Sequence, residues 1–326
     1  MEASAAMKTG TKFELKMGAA TREAYGEALA ELGRENPNIV VLDADLAKST
    51  HSAKFGKEFP DRFWTVGIAE ANMVGIAGGL ALQGKIPFAS SFAVFLTNKG
   101  FDQLRMSIAY PRANAKFCGS HGGISIGEDG PSQQSVEDIA LMCGLAGFVV
   151  LVPADEFSAR ALVRRMAEHV GPVYMRTGRA KSAILYGPDD TFEIGTAKVH
   201  GNGGDVAIVS CGYELQYALR AQHILEEEGI AARVIDMHTI KPLDEAAIAL
   251  AARECGAIVT AEEHLLDGGL GSQVARAVAR STPVPMEFVG IQNTYAESAT
   301  SDQLMEKYGL TAPHIVKAVH EVLKRK

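Results

Sequence analysis

Residues 86–118 read IPFASSFAVFLTNKGFDQLRMSIAYPRANAKFC and contain the unit that decides the fold. Short apolar runs at 86–89 and 115–118 have the length and composition of buried strands, and the stretch 98–109 between them has the spacing of a helix. A strand, a helix and a second strand in this order favour a parallel pair, because a parallel crossover needs a helix-length connection. The segment therefore predicts one strand–helix–strand unit of an α/β sheet.

The same alternation continues on both sides of this unit. Further strands are predicted at 39–42, 63–66, 148–152 and 173–175, and further helices at 21–32, 70–82, 135–143 and 156–169. A second series of strands follows the glycine-rich loop 201–204, at 206–210, 232–236, 257–261 and 286–289. The two series predict an α/β fold with two domains, at 17–190 and 191–326, each built on a mostly parallel sheet, after a flexible tail at 1–16.

Composition limits the partners of the chain. The 326 residues carry a net charge of −7 without an internal basic block that could follow a phosphate backbone, so we do not expect nucleic acid as a partner. No apolar run reaches the roughly 18 residues of a membrane span, and the start of the sequence lacks the apolar core of a signal peptide. We therefore expect a cytoplasmic protein without membrane contact. The cysteines are scattered, and we expect no metal site from them.

Side chains that can do chemistry follow the predicted strands of the first domain. In an open parallel sheet, ligands bind beyond the carboxyl ends of the strands, where the loops converge. The side chains at these positions are Asp45, Glu70, Phe92, Phe95, His121 and Arg176. We therefore expect one edge of the first sheet to hold the functional site.

Several motifs of the chain resemble those of transketolases, in the same order. They are VGIAE at 66–70, SFAVF at 91–95, HGGISIGEDGP at 121–131, DMHTIKPLD at 236–244, EEH at 262–264 with GGLG at 268–271, and YAES at 295–298. Separate motifs in a fixed order are stronger than any one motif alone. The resemblance implies a domain that binds the pyrimidine ring of thiamine diphosphate, followed by a transketolase C-terminal domain. It also implies transfer of a two-carbon ketol (glycolaldehyde) unit from a ketose phosphate to an aldose.

One part of the family pattern is missing from this sequence. Full-length transketolases have an N-terminal domain that binds the diphosphate and its metal through a GDG motif and a later Asn, and this chain has no GDG. It therefore resembles the C-terminal subunit of a split transketolase. The resemblance implies that an N-terminal transketolase subunit holds the diphosphate and the Mg²⁺ or other divalent metal, that the chain is inactive alone, and that the assembly is α2β2.

The resemblance also implies the residues that meet the cofactor. Glu70 matches the glutamate that hydrogen-bonds the far nitrogen of the pyrimidine ring and drives its shift to the imino form. Phe92 and Phe95, three residues apart on one predicted helical face, match the aromatic walls around that ring. The alternatives from the residues alone are a helix N-terminal acid for Glu70 and ordinary helix core for the two phenylalanines.

The substrate-binding residues follow from the same resemblance. His121 is expected to bind the sugar or its phosphate, Asp129 the hydroxyl group next to the carbonyl, and Arg176 the phosphate, to which a guanidinium is well suited. Ser49 matches another phosphate contact, and Asp45 matches a residue at the inner end of the substrate channel. The alternative for His121 and Asp129 is a solvated loop with a tight turn at 129–131.

Gln133 departs from the family pattern, in which a His binds the terminal hydroxymethyl group of the donor. A glutamine amide can donate and accept hydrogen bonds but cannot carry a charge near neutral pH. We therefore expect that ketol transfer remains but that the preferred sugar differs from the usual pentose phosphates, with apulose 4-phosphate as a candidate.

Three other readings remain open. The β subunit of a 2-oxoacid dehydrogenase E1 component has the same two domains, but the segment at 127–131 and the YAES motif favour a transketolase. Deoxyxylulose-phosphate synthase shares the sheet motifs but normally keeps three domains on one chain. A non-catalytic assembly subunit is disfavoured because Glu70, Phe92 and Phe95 are all present.

Overall fold

The computed structural model describes residues 14–326. Its strands are β1 (Ile39–Asp43), β2 (Phe63–Thr65), β3 (Ile86–Phe92), β4 (Lys116–Ser120), β5 (Val149–Leu151), β6 (Val173–Arg176), β7 (Lys198–His200), β8 (Val206–Ser210), β9 (Ala232–Asp236), β10 (Thr239–Lys241), β11 (Ile258–Leu265) and β12 (Met286–Ile291). Its helices are α1 (Thr21–Glu35), α2 (Ala47–Thr50), α3 (Ala53–Glu58), α4 (Glu70–Leu82), α5 (Ala93–Gln103), α6 (Asp138–Gly144), α7 (Glu156–Glu168), α8 (Leu215–Glu227), α9 (Glu245–Cys255), α10 (Leu270–Arg280), α11 (Ser301–Lys307) and α12 (Ala312–Leu323).

The first sheet is the parallel sheet that the sequence predicts. Within residues 14–326 its seven strands lie in the order β10-β5-β6-β4-β3-β1-β2, and every neighbouring pair is parallel except β10 with β5. The segment 86–118 forms β3, α5 and the start of β4, with Phe88 beside Lys116 in the register. All the strands except β10 therefore point their carboxyl ends to the same edge.

The second sheet is also mostly parallel. Among the described residues its five strands have the order β12-β11-β8-β9-β7, and only β7 with β9 is antiparallel. Two α/β sheets with helices confirm the predicted fold class. The boundary at residue 190 stays a prediction, and β10, which follows it in the chain, pairs with β5 of the first sheet.

Helices α1 and α7 pack side by side against the first sheet. Their contact carries ion pairs such as Arg160 with Glu31, 2.7 Å apart, and Arg164 with Glu35, 2.8 Å apart. The start of α7 is fixed because Asp155 accepts a hydrogen bond from the backbone nitrogen of Ser158 in a capping box. This pair of helices positions the amino end of α1 at the carboxyl edge of the sheet.

Helices α4 and α5 bring the expected ring-binding residues together. Helix α4 begins at Glu70, as predicted, whereas α5 begins at Ala93, before the predicted start at residue 98, and continues into a π-helix, Leu104–Ala109. The two helices approach closely at Gly100, where an added Cβ would lie 3.1 Å from Cγ2 of Val74. The second turn of α5, which ends near Lys99 and Gly100, therefore lies beside the start of α4.

The predicted tail is anchored to the first domain at its last residue, Lys16. Residues 1–13 of the predicted flexible tail at 1–16 lie outside the described residues, and the carbonyl of Lys16 accepts a 2.8 Å hydrogen bond from the backbone of Ile184. Every helix within residues 14–326 is too short or too polar to cross a lipid bilayer.

Candidate functional site

The carboxyl edge of the first sheet gathers the residues that the sequence singles out. Asp45 follows β1, Glu70 begins α4, Phe92 ends β3, His121 follows β4, and Arg176 ends β6. Because β1, β3, β4 and β6 are neighbours in the sheet, these positions converge as the parallel topology requires.

An aromatic cluster forms the centre of this edge. The rings of Phe92 and Phe95 are stacked with centroids 5.6 Å apart and an interplanar angle of 13°. Phe92 also stacks on the imidazole of His121, 3.9 Å away. The expectation that both phenylalanines share a helical face is wrong, because Phe92 is the last residue of a strand and only Phe95 lies in α5. The strand-to-helix turn still brings the two rings together.

Glu70 is a buried carboxylate with unused hydrogen-bonding capacity. Its side chain is 2% exposed, and its Oε1 atom has no hydrogen-bond partner within the described part of the chain. Its Oε2 atom is 3.7 Å from Nζ of Lys99. As the first residue of α4 it also has the helix N-terminal position of the alternative reading, where the dipole favours an acid. A buried acceptor without a partner is costly and suggests a ligand.

His121 is buried, which is incompatible with a solvated loop residue. It has a left-handed backbone conformation, with φ of 60°, and is 2% exposed. Its Nδ1 atom lies 2.9 Å from Oγ of Ser120, and its Nε2 atom lies 3.4 Å from Nη1 of Arg22. Burial, followed by the positive charges of Arg22 and Arg179, lowers the pKa of His121 to about 3. The ring is therefore neutral at physiological pH and can act as a hydrogen-bonding group.

Arg22 is a site residue that the sequence reading misses. Its Nη1 atom donates a 2.7 Å hydrogen bond to the carbonyl of Ser49, and its buried Nε atom has no partner among residues 14–326. Burial lowers the pKa of Arg22, which remains a cation at neutral pH. The residue precedes the first strand, so only the packing of α1 brings it to the edge with Ser49 and His121.

Asp43 fixes the loop that carries Asp45 and Ser49. Its buried carboxylate accepts hydrogen bonds from the backbone of Leu46 at 2.6 Å and from the hydroxyl groups of Thr50 and Ser52, each at 2.8 Å. Burial raises the pKa of Asp43 to about 6, although these hydrogen bonds act in the opposite direction. Asp45 itself is exposed and has a φ of 68°. The bonds of Asp43 hold this strained loop in one conformation.

The loop after His121 contacts the second domain. Nε2 of Gln134 donates a 3.0 Å hydrogen bond to the carbonyl of Glu297, and an added Cβ on Gly130 would lie 2.4 Å from Oγ of Ser298. Asp129 is exposed at the tip of this loop. Gln133 is half-buried, and its Oε1 atom accepts a 2.6 Å hydrogen bond from Ser132. The YAES motif therefore shapes the loop that presents Asp129 and Gln133.

Arg176, which the resemblance matches to a phosphate-binding residue, is buried and hydrogen-bonded within the chain. It is 5% exposed, and its Nη2 atom donates 2.9 Å hydrogen bonds to the carbonyls of Ser135 and Glu263. Its Nε atom lies 3.5 Å from the carboxylate of Asp138. Burial acts to lower the pKa of Arg176, but Asp138 and Glu263 raise it overall. In this structure the guanidinium joins the two sheets, and its phosphate-binding role stays a prediction.

The arrangement can hold a flat heteroaromatic ring. Stacked phenyl rings provide apolar faces, and Glu70 provides an unpaired carboxylate oxygen beside them. An aminopyrimidine needs this combination of a stacking surface and a hydrogen-bonding carboxylate. In the described part of the chain, no three His, Cys, Asp or Glu side chains form a group that could hold a metal ion.

Comparison with known proteins agrees with the two-domain fold. The family described as the transketolase pyrimidine binding domain matches residues 17–183, and the transketolase C-terminal domain matches residues 195–315. A Methanocaldococcus jannaschii protein, provisionally named a transketolase C-terminal section, is 43% identical over 93% of this chain and 96% of its own length.

Two further similar proteins have about the same extent. The 6-deoxy-6-sulfo-D-fructose transketolase subunit SqwH of Clostridium sp. strain MSTE9 is 40% identical over 94% of this chain and 95% of its own length. A solved structure described as a split gene transketolase, inactive beta4 tetramer, is 50% identical with a TM-score of 0.89, over 95% of this chain and 100% of that one.

Proposed function

Because the chain belongs to the transketolase family, we propose that it is the C-terminal subunit of a two-subunit transketolase and supplies the pyrimidine side of the thiamine diphosphate site. The observation that carries the proposal is the buried Glu70 carboxylate, whose Oε1 atom is unpaired among the described residues, beside the stacked rings of Phe92 and Phe95. Similar chains of the same extent, named as a transketolase subunit or as a split transketolase, support it.

The roles of the cofactor-binding residues follow from this geometry. Phe92 and Phe95 bind the face of the pyrimidine ring, and Glu70 hydrogen-bonds a ring nitrogen and shares a proton with it. When bound, thiamine diphosphate supplies the nucleophilic carbon that carries the ketol unit. The low-dielectric surroundings of Glu70 strengthen this hydrogen bond, because solvent does not compete for the carboxylate.

The substrate side is proposed to extend from His121 to the loop at 44–52. Arg22, beside Ser49 and His121, supplies the cation for the sugar phosphate, and neutral His121 hydrogen-bonds the sugar. Asp129 binds the hydroxyl group next to the carbonyl, and Asp45 lies at the inner end of the substrate channel; both side chains are exposed in this chain. Arg176 reaches the phosphate only if it leaves its contacts with Ser135 and Glu263. We therefore propose that Arg176 contributes less than Arg22 to phosphate binding.

The partner is proposed to be an N-terminal transketolase subunit that holds the diphosphate with Mg²⁺ or another divalent metal. Self-association of this chain then gives an α2β2 enzyme, and the similar split transketolase described as a beta4 tetramer supports association between copies. The proposed location is the cytoplasm, as the sequence predicts.

The test is reconstitution. The purified chain with thiamine diphosphate, Mg²⁺ and a ketose phosphate should give no ketol transfer, and addition of a subunit with the diphosphate-binding domain should restore it. Robust transfer by the chain alone would overturn the split-subunit proposal. Turnover of pyruvate without turnover of ketose phosphate would favour the 2-oxoacid dehydrogenase alternative, and a complex that binds no cofactor would favour the assembly subunit.

The proposal also covers the donor sugar that the enzyme prefers. Gln133 in place of the family His favours a donor other than the usual pentose phosphate, and the relative named for 6-deoxy-6-sulfofructose indicates that related subunits serve modified sugars. Rates with xylulose 5-phosphate, apulose 4-phosphate and 6-deoxy-6-sulfofructose should be compared in the same complex. A preference for xylulose 5-phosphate that Gln133→His leaves unchanged would contradict this assignment.

A further inference from the structure

Lys99 touches both parts of the ring pocket but has no role in the proposed reaction. Its Nζ atom is 3.7 Å from Oε2 of Glu70 and 4.7 Å from the centroid of the Phe95 ring. Lys99 follows Phe95 by one helical turn, so both side chains lie on the same face of α5. The lysine side chain is 53% exposed, and its ammonium group can therefore move from Glu70 into solvent.

The packing of α5 on α4 explains why the ammonium group is there. Gly100 allows the two helices to approach, and the neighbouring Lys99 is thereby brought beside the start of α4. A buried carboxylate is costly unless a cation or hydrogen-bond donors compensate it. Glu70 Oε1 has no such partner in the described residues, so Lys99 is the compensating charge on Oε2.

We propose that Lys99 occupies the place of the cofactor ring before the ring binds, and that it leaves Phe95 and Glu70 when the ring arrives. The inference rests on the proposed function, because a ring that stacks on Phe95 and hydrogen-bonds Glu70 needs the same two groups as the ammonium. Lys99 is thus a positioning residue: it keeps the Glu70 carboxylate paired in the empty site and competes with the ring for it. Removal of the ammonium group should tighten cofactor binding.

The experiment measures the dissociation constant of thiamine diphosphate with Mg²⁺ by calorimetry, in the complex of this chain with the subunit that carries the diphosphate-binding domain. Lys99→Met should bind the cofactor about threefold more tightly than the wild type, a change expected for an exposed cation–π contact and ion pair. Lys99→Arg keeps the cation and should bind as the wild type does. In a Glu70→Gln background, Lys99→Met should give a smaller change, because the carboxylate for which the two groups compete is gone.

Lys198 provides a matched control. Its Nζ atom lies 5.0 Å from the centroid of the Phe192 ring and 3.6 Å from Asp190, so it makes the same pair of contacts in another part of the structure. Lys198→Met should leave the dissociation constant at the wild-type value.

The outcomes distinguish a failure of the proposed role of Lys99 from a failure of the proposed function. Wild-type binding with an unchanged or weaker affinity in Lys99→Met overturns the role of Lys99 and leaves the proposed function standing. A gain of affinity that is undiminished in the Glu70→Gln background overturns the competition for the carboxylate. Failure of the wild-type complex to bind thiamine diphosphate overturns the proposed function and this inference with it.

Discussion

At the scale of single residues, the candidate site combines the buried Glu70 carboxylate with the stacked rings of Phe92 and Phe95. Glu70 is buried, and α4 and α5 keep it from water. Among the described residues, its only ion-pair partner is Lys99. A protein that needed only a helix N-terminal acid could leave this side chain exposed, as α9 does with Glu245, which is half-exposed. The burial of Glu70 therefore favours a role in binding over a role in helix stability.

Glu70→Gln tests this role directly. The variant keeps the shape of the side chain but cannot share a proton with the ring, so ketol transfer in the reconstituted complex should fall to background. Its thermal unfolding midpoint should equal or exceed that of the wild type, because the change removes a buried charge. Glu245→Gln, at the same first helical position in α9, is the control and should keep full activity. An active Glu70→Gln enzyme would refute the assignment.

His121 predicts a pH dependence of stability with a defined sign. Its pKa falls from the ordinary 6.5 to about 3 on folding, so below pH 6.5 the unfolded chain binds a proton that the folded chain does not. Stability is therefore lost as the pH falls from about 6.5 towards 3. His121→Asn, which tolerates the left-handed backbone, should lose less unfolding free energy than the wild type between pH 7 and pH 5. Denaturant unfolding at both pH values measures this, and equal losses would contradict it.

The sequence identifies only part of this residue set, and the reason is physical. The family motifs contain Glu70, Phe92, Phe95 and His121, which lie at or soon after the carboxyl ends of strands, so pattern and topology bring them to one edge. Arg22 and Lys99 lie on helices that look like ordinary amphipathic segments in the sequence, and only tertiary packing brings them to the pocket. The burial of Arg176 likewise depends on contacts from Ser135 and Glu263, which no local pattern contains.

At the scale of elements, buried parallel strands were the most predictable features. The predicted strands at 206–210 and 232–236 and the predicted helix at 70–82 have the observed bounds. The strands β7 and β10 were missed because each is a three-residue antiparallel edge strand with no apolar run of its own. The early start of α5 was missed because its first turn, AVFL, reads equally well as a continuation of β3.

The close approach of α1 to the segment at 44–52 predicts that a larger residue at position 26 destabilises the fold. An added Cβ on Gly26 would lie 2.5 Å from Cβ and 2.6 Å from the carbonyl oxygen of His51, and backbone cannot yield as a side chain can. Gly26→Ala should therefore lower the unfolding free energy by about 1–3 kcal/mol, as overpacking does. It should also raise the KM for ketose phosphate, because the displaced loop carries Ser49.

Gly144→Ala is the control for Gly26→Ala. Gly144 also lies in a helix, but an added Cβ there would meet nothing within 4 Å among the described residues. Its unfolding free energy should stay within about 1 kcal/mol of the wild type, and its KM should not change. If Gly26→Ala behaves like Gly144→Ala in both measurements, α1 does not set the position of the loop.

At the scale of the whole molecule, the second domain supports the loop that follows His121 in the first domain. The carboxylate of Glu263 accepts a hydrogen bond from the backbone of Ser125, and the segment with Glu297 and Ser298 contacts the loop that carries Gln133. Strand β10 joins the first sheet as well. Both domains therefore support the loop that carries Gln133, and motifs far apart in the chain meet at this edge of the first sheet.

Helix α4 also presents a surface that one copy of the chain leaves open. Ile76 and Leu82 are 36% and 67% exposed, and an added Cβ on Gly75 or Gly79 would meet nothing within 4 Å in the described structure. A helix with apolar residues on all sides is normally covered, and small residues on its open face allow a second helix to approach closely. Two copies of α4 related by a twofold axis would cover each other, because the same patch is used on both.

The proposed self-association should therefore depend on this face. Ile76→Glu places a charge at the centre of the patch and should convert the assembly to single copies of the chain, as measured by light scattering after size-exclusion chromatography. Leu250→Glu, on the exposed side of α9, is the control and should keep the wild-type mass. Because Ile76 lies on the same helix as Glu70, loss of the second copy should also weaken thiamine diphosphate binding in the complex. A wild-type chain that is already monomeric, or an Ile76→Glu chain with unchanged mass, would show that α4 does not join two copies.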